Sequence, residues 1–417
     1  MCPRKPAMHA DRDSRKLLAG FFDQALEAVR GRPVVRRALE ARGIDSSATL
    51  VAVGKAAQSM TEGAVDALST GIRAGLVISK AGHLDFETLE RFGLEGVVGG
   101  HPVPTTGSLE AGRRLQQVLG EGEETLLFLI SGGTSSLVEA PVTGLDLPDL
   151  VRLNKWLLGS GLPIGAMNIV RKSVSRIKGG GLLNRLGGRR LRALAISDVP
   201  GDDLGIVGSG LLVPEPDLAS RLKGLDLPDW LRRWTERGLA ERAEVPEQGP
   251  EIELVATLGM AKKAAADAAR AEGLQVHLYE EFLEGDAAER GRALARRLID
   301  GPAGLHVWGG ETTVRLPQIP GCGGRNQHLA LAAAVELAGR DDCLLLSGGT
   351  DGTDGPTDDA GGLVDGDTLK RAELDGFDAD SALAAADAGS LLAAAGDLVH
   401  TGPTGTNVMD LVLGLKL

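Results

Sequence analysis

The densest group of chemically capable side chains lies in Ser347-Gly-Gly-Thr-Asp351-Gly-Thr-Asp354-Gly-Pro-Thr-Asp358-Asp359-Ala-Gly-Gly362, where four carboxylates fall within nine residues. Glycines on either side keep that backbone pliable. Magnesium takes one or two carboxylates together with water and phosphate oxygens, so Asp351 is a candidate metal ligand, with Gly349, Thr350 and Asp354 on the nucleotide side. An acidic, solvated turn is the plainer alternative. It is weakened because an apolar run leads directly into Asp351 and Asp354, where a charge is avoided unless it has a partner. An EF-hand is excluded, since Gly362 occupies the twelfth position where a glutamate is required.

A second polar loop, Ser131-Gly132-Gly133-Thr134-Ser135-Ser136, follows another apolar run. Its amides and hydroxyls suit phosphate or carboxylate oxygens, although a tight turn needing positive φ explains the glycines equally well. Phosphoryl transfer also needs cations. Lys55 follows Val51-Ala-Val-Gly54 at a strand end and opens a helix, and Arg325 stands just before another, with Asn326 beside it as a candidate substrate or nucleotide contact. Either is equally readable as an ordinary helix-start cation in solvent. Asp198 in Ile196-Ser-Asp-Val-Pro-Gly-Asp-Asp203 is a candidate proton acceptor or second metal contact, and Glu311 and His101 are candidate ligand contacts. Each of these three also has a structural reading, as a cap, a turn closer or a loop residue.

These residues must be placed by alternating strands and helices. Apolar or β-branched runs at Thr49–Val53, Ala74–Ser79, Leu126–Ile130 and Leu191–Ser197 predict strands, with helices over about 55–68 and Met167–Ile177. Five prolines between Val213 and Pro250 mark that stretch as a connection between domains. Alternation then resumes: strands Glu251–Ala256, Leu274–Tyr279, Leu305–Trp308 and Cys343–Leu346, and helices Gly259–Ala271, Asp286–Asp300 and Asn326–Ala338. The expectation is two α/β domains, over 1–240 and 250–417, the larger with a mainly parallel sheet and the ligand loops at the carboxyl ends of its strands. Leu127–Thr134 and Cys343–Thr350 share one form, an apolar run entering Ser-Gly-Gly-Thr. Two such loops facing each other would form an interdomain cleft.

Composition narrows the function. The chain has 417 residues, and its 57 acidic side chains outnumber its 45 basic ones, which argues against a coat for nucleic acid or anionic membrane. Glycine, 59 residues or about 14%, is twice the usual ~7% and gathers at predicted strand ends. Three cysteines, Cys2, Cys322 and Cys343, are too few and too scattered for a disulfide framework or a zinc site. With no apolar core of secretory length near the N-terminus, a cytoplasmic protein is expected. The apolar run Leu329–Val335 is far short of the ~20 residues that span a bilayer. Gly54-Lys55 lacks the Walker glycine and hydroxyl, no G-x-G-x-x-G follows a predicted strand, and no H-R-D loop exists, which disfavours P-loop, dinucleotide and protein-kinase readings.

Eight blocks in order resemble the second class of glycerate kinases, built from DUF4147 and MOFRL modules: Val53-Gly-Lys-Ala56, Gly100-His-Pro-Val-Pro104, Ile130-Ser-Gly-Gly-Thr-Ser-Ser136, Ile196-Ser-Asp-Val-Pro-Gly-Asp202, Gly309-Gly-Glu-Thr-Thr313, Gly323-Gly-Arg-Asn-Gln327, Ser347-Gly-Gly-Thr-Asp-Gly-Thr-Asp-Gly355 and Gly402-Pro-Thr-Gly-Thr-Asn407. The resemblance spans residues 13–417 and implies a Rossmann-like N-terminal domain, a smaller C-terminal α/β domain and an active site in the cleft. It implies transfer from ATP to D-glycerate, giving 2-phosphoglycerate, with a divalent cation, and active-site roles for Lys55 and Arg325. Met409 stands where the family usually has Asn. Some members carry the label hydroxypyruvate reductase, which the missing dinucleotide fingerprint makes the lesser alternative. The small molecules are the expected partners, and a homodimer is allowed but not required.

Overall fold

The computed structural model describes residues 12–44 and 47–417. Cys2 and the first residues of the N-terminal segment therefore lie outside the described residues. Contacts divide the chain into two units, Arg30–Ala256 on one side and, on the other, the residues up to Val29 with Thr257–Leu417.

The unit Arg30–Ala256 is built on six strands: β1 (Ala48–Val53), β2 (Ile72–Ser79), β3 (Glu95–Val98), β4 (Thr125–Ile130), β5 (Leu191–Ile196) and β6 (Ile252–Ala256). All pair in parallel, in the order β3-β2-β1-β4-β5-β6. β1 and β4 are buried along their whole length, as expected of parallel strands covered on both faces. Val51, Val53, Phe128, Ile130, Leu115 and Ala195 share their core. This order reverses direction between β1 and β4, and ligands of open α/β sheets bind outside the carboxyl ends of the strands at that switch point.

The proline-bearing stretch Val213–Pro250 is not a bare connection, which corrects the sequence reading. Its helices Leu218–Lys223 and Asp229–Glu241 pack with Leu147–Gly159 and Ile164–Ser173 around Leu153, Leu157, Ile169, Val170, Leu218 and Leu231. Pro228 stands directly before the Asp229 helix, where its fixed φ opens a helix rather than interrupting one.

The second unit holds β7 (Val276–Leu283), β8 (Gly304–Gly310), β9 (Cys343–Gly349), β10 (Gly361–Asp365), β11 (Leu398–Val399) and β12 (Asp410–Lys416), in the order β11-β10-β9-β12-β8-β7. Among the described residues, β7 and β8 are the one pair of these strands that runs in parallel. The helix Arg325–Leu337 opens on four polar residues and is apolar from Leu329 to Val335, where it packs among Trp308, Leu294, Leu345 and Leu391.

The division differs from the expected 1–240 and 250–417 at both ends. β6 completes the first sheet, so the division falls after Ala256. The helix Arg12–Val29 belongs to the second unit: Phe22 covers Gly348, where a Cβ would come within 2.7 Å of its ring, and Arg15 donates to Leu363 O at 2.9 Å, to Asp397 at 2.6 Å and to Asp365. Among the described residues no helix is long and apolar enough to cross a membrane.

Candidate active site

In the first unit, the residues after β1, β4 and β5 lie at one edge because Val53 pairs with Ile130 and Ile130 with Ala195. Lys55, Ser131 and Asp198 therefore leave the sheet side by side. The two glycine loops are tied together: Ser131 N donates to Val53 O (2.9 Å), Lys55 N to Gly132 O (2.8 Å) and Ala56 N to Ser131 Oγ (3.1 Å). Gly54 makes this approach feasible. Its φ is +132°, and a Cβ there would sit 2.1 Å from Ser131 Oγ, so any side chain would drive the loops apart.

The loop Ser131–Ser136 is ordered by its own hydroxyls. Thr134 Oγ1 donates to Ser131 O (2.7 Å) and Val53 O (3.0 Å), and Ser135 Oγ lies 2.7 Å from Ser209 Oγ. Gly133, at φ +82°, begins the turn, and a Cβ on it would meet the His101 ring at 3.1 Å and Lys55 Cγ at 3.2 Å. Lys55 and His101 thus flank Gly133. Ser79, Ser209 and His83 were not singled out from sequence: Ser79 Oγ donates to Gly54 O (2.8 Å), and His83 Nδ1 lies 3.1 Å from Lys55 O.

The second unit gathers charge. Asp410 opens β12 opposite Gly310 of β8 and Gly349 of β9, which brings the residues after those strands to one edge. Arg325 donates to Asp410 through Nε (2.6 Å) and Nη2 (3.0 Å), and its Nη1 meets Glu311 at 2.7 Å. A cation opening a helix faces the positive end of the helix dipole, and these carboxylates offset it. Although burial disfavours its charge, Asp410 and Glu311 raise the Arg325 pKa above the ordinary value.

Asp354 caps the same helix from elsewhere in the chain, accepting from Asn326 N (3.1 Å) and Gln327 N (2.8 Å). Asp354 as a residue is only 2% exposed. Burial pushes its pKa up to about 7 against those hydrogen bonds, and the nearby Asp410 adds to the rise. Asn326 is held by Ser347 Oγ, which donates to its Oδ1 (2.7 Å). Thr350 N and Oγ1 both donate to Met409 O. Asp351 Oδ1 accepts from Thr353 N and Oγ1, each at 3.1 Å. A cavity of about 370 Å³ opens beside Arg325 between Val314, Leu316, Pro320 and Pro356.

The predicted residues thus fall into two groups, Lys55, His101, Ser131–Ser136 and Asp198 in one unit, and Glu311, Arg325, Asn326, Gly349, Thr350, Asp351 and Asp354 in the other. Asp354 and Asn326 are structural partners of the Arg325 helix as well as candidates for binding. Among the described residues no three His, Cys, Asp or Glu side chains gather to hold a metal. Asp198 and Asp351 belong to no such cluster, so an ion at either of them would need phosphate and water ligands of its own. Sequence reasoning missed Asp410. Its signal was an aspartate set directly before the apolar run Leu411–Leu413, the mirror image of Asp351, which follows one.

DUF4147, a domain of unknown function, matches residues 17–226, and the MOFRL family matches 304–410. D-glycerate 2-kinase of Thermotoga maritima is 37% identical over 96% of this chain and 98% of its own. The chain belongs to the DUF4147 and MOFRL family of glycerate kinases. The crystal structure of the Thermotoga maritima glycerate kinase, with 35% identity, covers 98% of this chain and all of its own with a TM-score of 0.86. Another relative, 38% identical over 96% of this chain and 94% of its own, carries a provisional hydroxypyruvate reductase name in Agrobacterium vitis. Within this glycerate kinase family chain, the DUF4147 match ends before the helix Asp229–Glu241 and the MOFRL match begins at β8, so β6 and β7 lie outside both.

Proposed function

We propose that the chain is a glycerate 2-kinase, transferring the γ-phosphate of ATP to the 2-hydroxyl of D-glycerate to give 2-phosphoglycerate and ADP. The observation that carries this reading is the 37% identity to a D-glycerate 2-kinase across nearly the whole of both chains. The geometry of each unit is consistent with it: a neutral loop of amides and hydroxyls beside Lys55, and an arginine held between carboxylates.

In this reading the glycerate 2-oxygen attacks the γ-phosphorus, its bond to the β-bridging oxygen breaks, and ADP leaves. Lys55 and Arg325 stabilise the charge on the transferring group. Asp198 takes the hydroxyl proton, with Asp351 as the alternative acceptor. Amides and hydroxyls of Ser131–Ser136, with His101, orient an anionic part of the bound pair, while Glu311, Asn326, Gly349, Thr350 and Asp354 keep Arg325 and its loop in place. Magnesium would be held by Asp351 and Asp198 and would supply charge neutralisation to the phosphates. The apolar cavity beside Arg325 suits the adenine. A cytoplasmic setting suits Cys322 and Cys343, which are both free thiols. A homodimer is compatible with the reaction.

Phosphorus NMR of the protein with ATP, magnesium and D-glycerate tests this, run beside NADH with hydroxypyruvate. A 2-phosphoglycerate resonance is expected. A silent phosphorus spectrum with NADH consumption would replace the kinase by the reductase.

A further inference from the structure

Away from Lys55 and its loops, the unit Arg30–Ala256 encloses a cavity of about 260 Å³ where the Ser175–Gly181 segment meets the end of the Asp229–Glu241 helix. Arg176, Arg185 and Arg242 line it, with Asn184 and Glu241. Arg176 and Arg185 make no ion pair among the described residues. Arg242 donates only to backbone carbonyls, those of Lys172 (3.4 Å), Lys178 (3.3 Å) and Gly179, and burial works against its charge. The carboxylate on the wall, Glu241, is already engaged, accepting from Thr143 N and Arg237 Nε at 2.9 Å each, and these contacts hold its pKa down at about 2.

Three arginines therefore line one cavity, while Glu241 on its wall is engaged and Glu215, which acts on Arg242, is itself paired with Lys172 and Arg221, in a chain whose net charge is −12. Like charges gathered in a concave site repel one another and raise the local anion concentration. We propose that this cavity is a second anion site, one that takes a small phosphate dianion on the planar donor forks of Arg176, Arg185 and Arg242. Its volume lies below the ~300 Å³ at which drug-sized pockets begin, so it suits a small phosphate ester or free phosphate and not a nucleotide. The site also has a path to the candidate anion loop. Gly181 lines the cavity, Gly179 N donates to Ser209 O (2.9 Å), and Ser209 Oγ meets Ser135 Oγ. Occupancy is thereby linked through two contacts to the loop beside Lys55.

The proposal concerns binding and stands apart from the kinase reading. Calorimetric titrations of the full chain with 2-phosphoglycerate and with inorganic phosphate, without nucleotide, are compared between wild type and Arg176→Ala/Arg185→Ala. Both side chains are exposed, so the variant is expected to fold, with Arg185→Ala alone as the fallback if its melting temperature drops. Wild type should show a binding event that the double variant weakens by at least about tenfold, while its turnover without added anion stays at the wild-type level. Loss with 2-phosphoglycerate assigns the site to the ester, and loss with phosphate alone to the free ion. Superimposable titrations, or no binding of either anion to wild type, would overturn the proposal.

Discussion

Leu127–Thr134 and Cys343–Thr350 both run from apolar residues into Ser-Gly-Gly-Thr, yet β4 stops at Ile130 whereas β9 continues through Gly349. The neighbours make the difference. β4 lies between parallel strands, and its pairing ends with theirs at Val53 and Ala195. The glycines beyond are left to turn, with Gly133 at φ +82°. β9 lies between antiparallel β10 and β12, which keep it paired as far as Gly348 opposite Gly361 and Gly349 opposite Asp410. One local sequence therefore yields a neutral glycine turn in one unit. In the other it yields a buried ladder that positions charges on the loops after it. Side-chain changes near the first should disturb function more than stability, and changes near the second should disturb both.

The largest expected effect sharpens this contrast. Lys55→Ala and Arg325→Ala should each lower turnover by roughly 10²- to 10³-fold, the usual size for losing a group that stabilises transition-state charge. Their stabilities should part. Arg325→Ala leaves Asp410, 4% exposed, without its guanidinium, which costs about 2 kcal/mol or more even with the arginine partly in solvent. Lys55→Ala should stay within about 1 kcal/mol of wild type. Turnover and urea unfolding measured on both variants check this. Near-normal turnover in both would remove these residues from the site, and equal stability losses would remove the contrast.

A smaller effect concerns pH. Asp354 is raised from 3.8 to about 7 in the folded chain. Between those values the unfolded chain has released a proton that the folded chain still holds, so stability falls as pH rises from about 4 to 7 and levels off above. The slope from this group is at most about 1.4 kcal/mol per pH unit. In Asp354→Asn that slope should be missing, while the Asn326 and Gln327 amides keep an acceptor. Unfolding free energies at pH 5, 6 and 7 decide it: an unchanged slope in the variant would mean that Asp354 is ionised throughout, as its two amide donors favour.

Much of this was legible in the sequence where the signal is local. The strands that carry Lys55, Ser131 and Asp198 are apolar runs of the right length, and the Arg325 helix begins where glycines end. What escaped depends on distant partners. Asp410 is 85 residues from the arginine it holds, and no periodicity links them. The Arg12–Val29 helix places Leu18, Phe22 and Val29 on one buried face, but which unit that face covers is a tertiary matter. Prolines between Val213 and Pro250 suggested a connection because turn residues and helix-opening residues are the same types.

Met409 tests the buried ladder at one residue. Met409 has a φ of +71°, a region where asparagine and glycine sit comfortably and other side chains do not. Its carbonyl accepts from Thr350 N (3.0 Å) and Oγ1 (2.6 Å), and the next residue is Asp410, so the backbone cannot relax without moving the partner of Arg325. Met409→Ala and Met409→Gly both remove the buried side chain, which cancels the packing loss between them. At ordinary positions alanine is the more stable of the two, by about 0.4–1 kcal/mol. Here the order should reverse, with Met409→Gly more stable by about 1 kcal/mol in urea unfolding, because glycine alone escapes the Cβ clash at positive φ. Alanine equal to or above glycine would mean that the 409–410 backbone shifts out of the left-handed region at little cost, and the rigid placement of Asp410 by the ladder would fall with it.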